Sequence, residues 1–284
     1  MAIERLGIVG SGIMGAGIAE VAAKAGIDVV LRSRKQETAD AMVAALGKSL
    51  AKQVSRGKLD EGEAEAVQAR VSATSDLDAL AGCDLVVESV VEDLDVKKQL
   101  FAELDRVVQD GAILATNTST LPVVEMAVET GRPERVVGVH FFNPAPAMSL
   151  VEVVRTLVSS DETVAEAVAF AEVCGKGPVV VEDRAGFIVN ALLFPYLNNA
   201  VRMLENRTAS RDDIDTAMRG GCNFPMGPLA LLDLVGLDTS VAILDALYAE
   251  FRDPNYAAVP LLRRMVVAGH LGRKSGRGFY DYSK

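Results

Sequence analysis

At 284 residues, half of them hydrophobic, the chain is long enough for two packed cores, and two domains are expected. The 39 acidic against 29 basic residues leave a formal charge of −10 with no Lys/Arg block. That balance argues against nucleic acid and membrane surfaces as partners and for a small molecule held by local positive groups.

Cys83, Cys174 and Cys222 are odd in number and far apart. They read as reduced core thiols, with neither a disulfide framework nor a metal-ligand spacing, and no metal site is expected. The N-terminus, Met1-Ala2-Ile3-Glu4-Arg5, passes directly into an apolar strand at 6–9, which leaves no room for a signal peptide. Gly10-Ser11-Gly12-Ile13-Met14-Gly15 follows, then a helical pattern on Ile13, Ile18, Val21 and Ala22 that stops at Gly26, then a second strand at 28–31. This is the context in which a glycine fingerprint binds a dinucleotide: Gly10 permits the tight turn, Gly12 lets backbone approach a pyrophosphate, and Gly15 lets the helix pack on the strand. Free N–H groups and the positive end of the helix dipole face the phosphates. Gly10, Gly12, Ile13, Met14 and Gly15 are therefore candidate cofactor contacts.

A long polar helical segment fills 36–70, interrupted near Gly57 and Gly62. It exceeds what a crossover needs, so it reads as a solvated helical hairpin or as an arm reaching a large substrate. Further β-type runs lie at 85–87, 113–115, 136–140, 150–154 and 179–181, with helical patterns between most of them. The alternation predicts an α/β fold with a mostly parallel, Rossmann-like doubly wound sheet. His140, one of two histidines, closes an apolar run, and Glu152 lies inside the next one. A carboxylate beside an imidazole fixes its tautomer and offsets the charge it gains, as a general base requires.

After residue 183 only helical patterns remain: 186–204, a helix capped by Ser210 with Asp212 and Asp213 in its first turn, and 229–251. The expected organisation is a dinucleotide-binding domain over 1–183 and an all-helical C-terminal domain over 184–284. The apolar faces of the second favour a homodimer. The stretch 185–197 is broken by Asn190 and Pro195 and is too short to span a bilayer, so a soluble, cytoplasmic protein is expected. His270 reads as a residue at a helix C-terminus, not a second base.

Seven segments occur in a recognisable order: the glycine loop; Val87-Glu88-Ser89-Val90-Val91-Glu92; Asn117-Thr118-Ser119-Thr120-Leu121; His140-Phe141-Phe142-Asn143-Pro144; Gly186-Phe187-Ile188-Val189-Asn190; Pro225-Met226-Gly227-Pro228; and the stretch from Gly272 to Tyr280. Together they resemble the 3-hydroxyacyl-CoA dehydrogenase family, especially its short bacterial members acting on 3-hydroxybutyryl-CoA. The resemblance implies hydride transfer between a 3-hydroxyacyl-CoA and a nicotinamide cofactor, with His140 as the base and Glu152 orienting it. It implies that Ser119 and Asn190 bind the reacting oxygen and thioester region. Glu92, Lys97, Asn143 and Lys274, with Ser119, would line the nicotinamide half of the cofactor. Ser49 and Arg56, in the long arm, fall where the family contacts coenzyme A. Without the resemblance, Ser119 reads as a cap at a strand end, Asn190 as a mid-helix cross-link, and Lys97 as part of a solvated helix face.

Two positions depart from the pattern. NAD-specific sites place an acidic residue at the end of the second strand, and here Ser33 stands there, with Arg32, Arg34 and Lys35 around it. With no carboxylate to repel a 2′-phosphate, Ser33 and Arg34 become candidate cofactor contacts, and NADPH is expected to serve at least as well as NADH. Ala191 follows Asn190 where relatives often carry Arg, which implies a more apolar pocket wall. The rival readings are a dehydrogenase of free β-hydroxy acids, whose acid/base is typically a Lys, and a non-catalytic nucleotide-binding protein on the same scaffold.

Overall fold

The computed structural model describes residues 3–283, so the expected leaderless start lies partly outside the described residues. Contacts cluster into two compact units divided between Asp183 and Arg184.

In the first unit the described residues form one sheet of eight strands in the order β3-β2-β1-β4-β5-β6-β7-β8. The strands are β1 (Arg5–Val9), β2 (Asp28–Arg32), β3 (Val71–Thr74), β4 (Leu85–Glu88), β5 (Ile113–Thr116), β6 (Val136–Phe141), β7 (Leu150–Arg155) and β8 (Gly177–Glu182). The helices are α1 (Ile13–Lys24), α2 (Gln36–Ser55), α3 (Glu61–Ala69), α4 (Leu94–Val107), α5 (Val123–Ala127) and α6 (Asp161–Val173). The chain winds outward from β1 through β2 to β3, then returns to β4 beside β1 and winds the other way. Ligands of such sheets bind at this reversal, outside the carboxyl ends of the strands. β4 and β5 are buried at every residue and β1 at all but Arg5. Helices cover both faces of a parallel sheet, so these strands read as continuous apolar runs.

Two features refine the expectation. β7 pairs antiparallel with β6, and β8 runs parallel to β7, so the sheet reverses direction after β6. The polar segment 36–70 folds as a pair of helices packed on one another. It forms α2 and α3 and is the crossover from β2 to β3, a strand that periodicity did not reveal because it is four residues long. Ala39, Met42, Leu46 and Leu50 bury one stripe of α2, and Val67 of α3 joins the same core. Asp60 caps α3 in a reciprocal capping box with Glu63. Between α1 and α2, Lys24, Ser49 and Gln53 all donate to the buried carboxylate of Glu20. Burial alone would push that carboxyl up, and these donors together hold it below the usual range.

The second unit holds α7 (Val189–Glu205), α8 (Arg211–Cys222), α9 (Pro228–Val235), α10 (Leu237–Phe251) and α11 (Pro260–Val267). Ser210 caps α8 by accepting from the Asp213 amide. The pattern expected to run unbroken over 229–251 is split at Gly236, whose φ of 103° ends one helix and starts the next. Asn190 falls in the first turn of α7, not mid-helix, and Cys222 is exposed, unlike buried Cys83 and Cys174. His270 follows the end of α11. Phe194, Leu197, Leu229, Leu232, Leu244, Leu247 and Leu262 form the core of this unit. The C-terminal segment is held on two buried aspartates. Asp233 accepts from the Phe279 and Tyr280 amides at 2.8 Å each, and Asp215 accepts from the Tyr280 hydroxyl at 2.8 Å. Burial pushes the Asp233 carboxyl up despite those donors. Among the described residues no helix is long and apolar enough to cross a membrane.

Candidate active site

The glycine turn is built by close backbone packing. Gly10 has φ 136°, donates its amide to Arg32 O at 3.1 Å, and would place a Cβ 2.2 Å from Ser89 O. A Cβ on Gly15 would lie 2.5 Å from Gly10 O, so α1 rests directly on the turn. Gly12 differs: no heavy atom lies within 4 Å of its Cβ position. It is the N-cap of α1 without a side-chain cap, and the first turn carries no acidic residue, so the amide end of the helix is left for an anion. Ile13 beside it is 79% exposed and Met14 is half-buried.

At the end of β2, Ser33 is buried and donates its amide to Thr74 O at 3.0 Å, while Arg34 and Lys35 are exposed. The Arg32 Nε is buried and has no hydrogen-bond partner among the described residues.

Register aligns Val9 of β1 with Glu88, Glu88 with Thr116 of β5, and Thr116 with Gly138 of β6. The residues just beyond these strands therefore line the same sheet edge as the glycine turn. Lys97 of α4, expected on a solvated face if it had no role, is 1% exposed. Its ammonium lies 2.7 Å from Glu88 and 3.3 Å from Glu92. Glu92 in turn accepts from the Thr118 hydroxyl and, at 3.2 Å, from the Ser119 amide. Ser119 is half-buried, and its turn leads to Pro122, the N-cap of α5, so Ser119 is not itself that helix's cap. Asn117 Oδ1 accepts from the Phe141 amide at 2.8 Å and ties this turn to the strand carrying His140.

His140 and Glu152 sit directly opposite one another in the antiparallel β6/β7 ladder, so their side chains share one face. The His140 Nδ1 to Glu152 Oε2 distance is 2.7 Å, with His140 6% and Glu152 0% exposed. An ionised carboxylate can only accept, so Nδ1 carries the proton and Nε2 is the basic nitrogen. The Phe142 ring packs 4.5 Å from the imidazole centroid at 55°. Beyond it Asn143 is exposed, in a loop held from below by Lys176, whose Nζ donates to Ala145 O at 2.7 Å and Met148 O at 2.8 Å.

The glycine turn, Ser33, Arg34, Glu92, Lys97, Ser119, His140, Asn143 and Glu152 thus follow from one sheet edge. Ser49 and Arg56 do not join them. They belong to α2 and its C-terminus on the β3 side of the sheet, and the Ser49 hydroxyl is engaged with Glu20 at 3.0 Å. Asn190 is buried in the second unit, where Lys274 pairs with Asp238 at 2.6 Å. Glu88, Asn117, Thr118 and Lys176 had no role assigned from sequence. For Glu88 a signal existed, a carboxylate ending the apolar run 85–87.

Residues 5–184 match the NAD binding domain of 3-hydroxyacyl-CoA dehydrogenase, and residues 186–282 match its C-terminal domain. A 3-hydroxybutyryl-CoA dehydrogenase of Mycobacterium tuberculosis is 50% identical across 99% of both chains. One from Clostridioides difficile is 45% identical over 99% of this chain and all of that one. The crystal structure of the (S)-3-hydroxybutyryl-CoA dehydrogenase PaaH1 from Ralstonia eutropha superposes with a TM-score of 0.97 at 42% identity, covering 100% of each chain.

Proposed function

The chain belongs to the 3-hydroxyacyl-CoA dehydrogenase family, and from that premise we propose that it interconverts 3-hydroxybutyryl-CoA and acetoacetyl-CoA. It is an oxidoreductase that uses NAD(H), with the first unit as its dinucleotide-binding domain. The second unit serves substrate binding and dimerisation. The observation that carries the mechanism is the buried His140–Glu152 pair at 2.7 Å on the edge that bears the glycine turn.

The residues present fit a dinucleotide, since Gly12 leaves open space where any side chain would intrude and α1 offers uncapped amides. A nicotinamide ring bound at this edge would supply the hydride acceptor for oxidation at C3 of the substrate and the hydride donor for reduction. His140 Nε2 takes the C3 hydroxyl proton in oxidation and donates it to the ketone oxygen in reduction. Glu152 holds Nδ1–H throughout and offsets the positive charge formed on the ring, which it does well because both groups are shielded from water. Ser119 donates to the reacting oxygen, and Glu92 fixes the backbone of its turn. Glu92 and Asn143 serve the nicotinamide half of the cofactor, and Lys97, 1% exposed, acts on it through Glu92. The assignments of Asn190 to the thioester region, Lys274 to the cofactor, and Ser49 and Arg56 to coenzyme A rest on the family's motifs alone.

For cofactor choice, the buried Arg32 Nε without a partner and the exposed Arg34 and Lys35 favour a 2′-phosphate beside Ser33. Initial rates with acetoacetyl-CoA are expected to be at least as high with NADPH as with NADH. Ser33→Asp is expected to shift the preference toward NADH by about tenfold. No turnover of acetoacetyl-CoA with either cofactor would overturn the substrate reading, whereas a large NADH preference in the wild type would overturn only the cofactor reading.

The dimer is supported by α7, which exposes Leu192 and Met203 on its surface. Sedimentation equilibrium is expected to give twice the chain mass of 30.1 kDa, and Leu192→Glu to shift it toward monomer. A wild type that sediments as a monomer contradicts this.

A further inference from the structure

The carboxylate of Glu88, fully buried at the end of β4, is the origin of a line of contacts of which the mechanism above uses only the outer members, Glu92 and Ser119. A charge withdrawn from water persists only when opposite charge and donors surround it. Oε1 accepts from Lys97 Nζ at 2.7 Å and from the Val90 amide at 2.5 Å, and Oε2 accepts from the Thr116 hydroxyl at 2.7 Å. The same ammonium reaches Glu92, which is 41% exposed at its side chain and holds the Thr118 hydroxyl and the Ser119 amide. The line starts against the glycine turn, because the Ser89 amide donates to Val9 O at 2.7 Å and Ser89 O abuts Gly10.

Two carboxylates share one ammonium here, and only one of the three groups reaches solvent. A lysine side chain without a buried partner would carry its charge outward to water. Glu92 would then keep no fixed cation, and the Ser119 turn would lose the charged acceptor that orders it. We propose that Glu88 is a positioning residue: by seating Lys97 in the core it holds Glu92, and through Glu92 the Ser119 turn, in the arrangement that the nicotinamide end of the dinucleotide requires. This rests on the dehydrogenase reading for the identity of the cofactor, though not for that of the substrate.

The competing possibility is that the pair only stabilises the core. Lys97→Met strands the buried Glu88 carboxylate and Glu88→Gln leaves Lys97 with Glu92 as its one charged partner, so each is expected to lower Tm. The double variant strands none and keeps the wild-type net charge of the cluster, carried by Glu92 alone. Its Tm is expected to return close to the wild-type value. Titrations of the full-length proteins with NADH and with ADP-ribose, which lacks the nicotinamide, separate the two roles. In the double variant NADH affinity is expected to fall about tenfold while ADP-ribose affinity is unchanged. Equal losses for both ligands, or no loss for either, would leave Glu88 a purely structural group and overturn the proposal. A wild type that binds no NADH would overturn it together with the cofactor reading. Neither titration contains acyl-CoA, so a wild type that binds NADH without turning over acetoacetyl-CoA removes the substrate reading and leaves this outcome decisive.

Discussion

Glu152→Gln is expected to lower kcat by about 10²–10⁴-fold while leaving the fold and NADH affinity near wild type. The effect is tautomeric. Glu152 is fully buried and faces His140 Nδ1 at 2.7 Å, so the carboxylate compels the proton onto Nδ1. An amide in its place can turn its NH₂ toward Nδ1, which puts the ring proton on Nε2 and removes the base from the side that meets the substrate. His140→Gln removes the base outright but keeps a donor for the buried carboxylate, and is expected to lose a similar factor. The double variant is expected to fall little further than either single one, because the two groups act as a unit. Steady-state kinetics with acetoacetyl-CoA and fluorescence titration with NADH check these outcomes. Wild-type kcat in either single variant would remove the acid/base assignment.

The glycine turn yields the second large effect, through a contrast between two positions. Gly12→Val is expected to weaken NADH binding about 100-fold with Tm unchanged. Its Cβ meets nothing within 4 Å, and its φ of −80° and ψ of 176° suit any residue. The added Cβ therefore meets no protein atom, and the side chain obstructs what approaches the turn. Gly15→Ala reverses the pattern. Its Cβ would stand 2.5 Å from the Gly10 carbonyl oxygen, so α1 must shift, at a cost of about 1–3 kcal/mol of stability. Thermal melts together with NADH titration distinguish the two. A Gly12→Val protein that binds NADH like wild type would mean that the dinucleotide does not pass over this turn.

The parts legible before the structure were those encoded within a few residues. The glycine turn between β1 and α1, the apolar runs that became β4, β5 and β6, and the Ser210 cap of α8 are each specified by neighbours in sequence. The hydrogen bonds and φ angles involved close over short spans. The errors arose where a local signal was short or depended on packing. β3 has four residues and only one buried, so its pattern was too weak to show that α2 and α3 form the crossover to a further strand. Without the resemblance Lys97 reads as a solvated residue of an amphipathic helix, because nothing in its own sequence neighbourhood indicates that Glu88 sits beneath it. Cys222 looked like a core thiol because residue type carries only an average burial.

The sequence by itself determined the chemistry available: the glycine spacing, an imidazole and a carboxylate at the right points of two apolar runs, and the cations around Ser33. Tertiary structure alone decided which of these groups meet. Antiparallel pairing of β6 with β7 places residue 140 opposite residue 152, and a register shifted by one residue would send Glu152 to the other face. Register depends on how an entire strand buries its apolar face against distant elements, a summed energy that no single segment contains. The same holds for Glu88 and Lys97, whose charges are stable in the core only because β4, β5 and α4 close around them together.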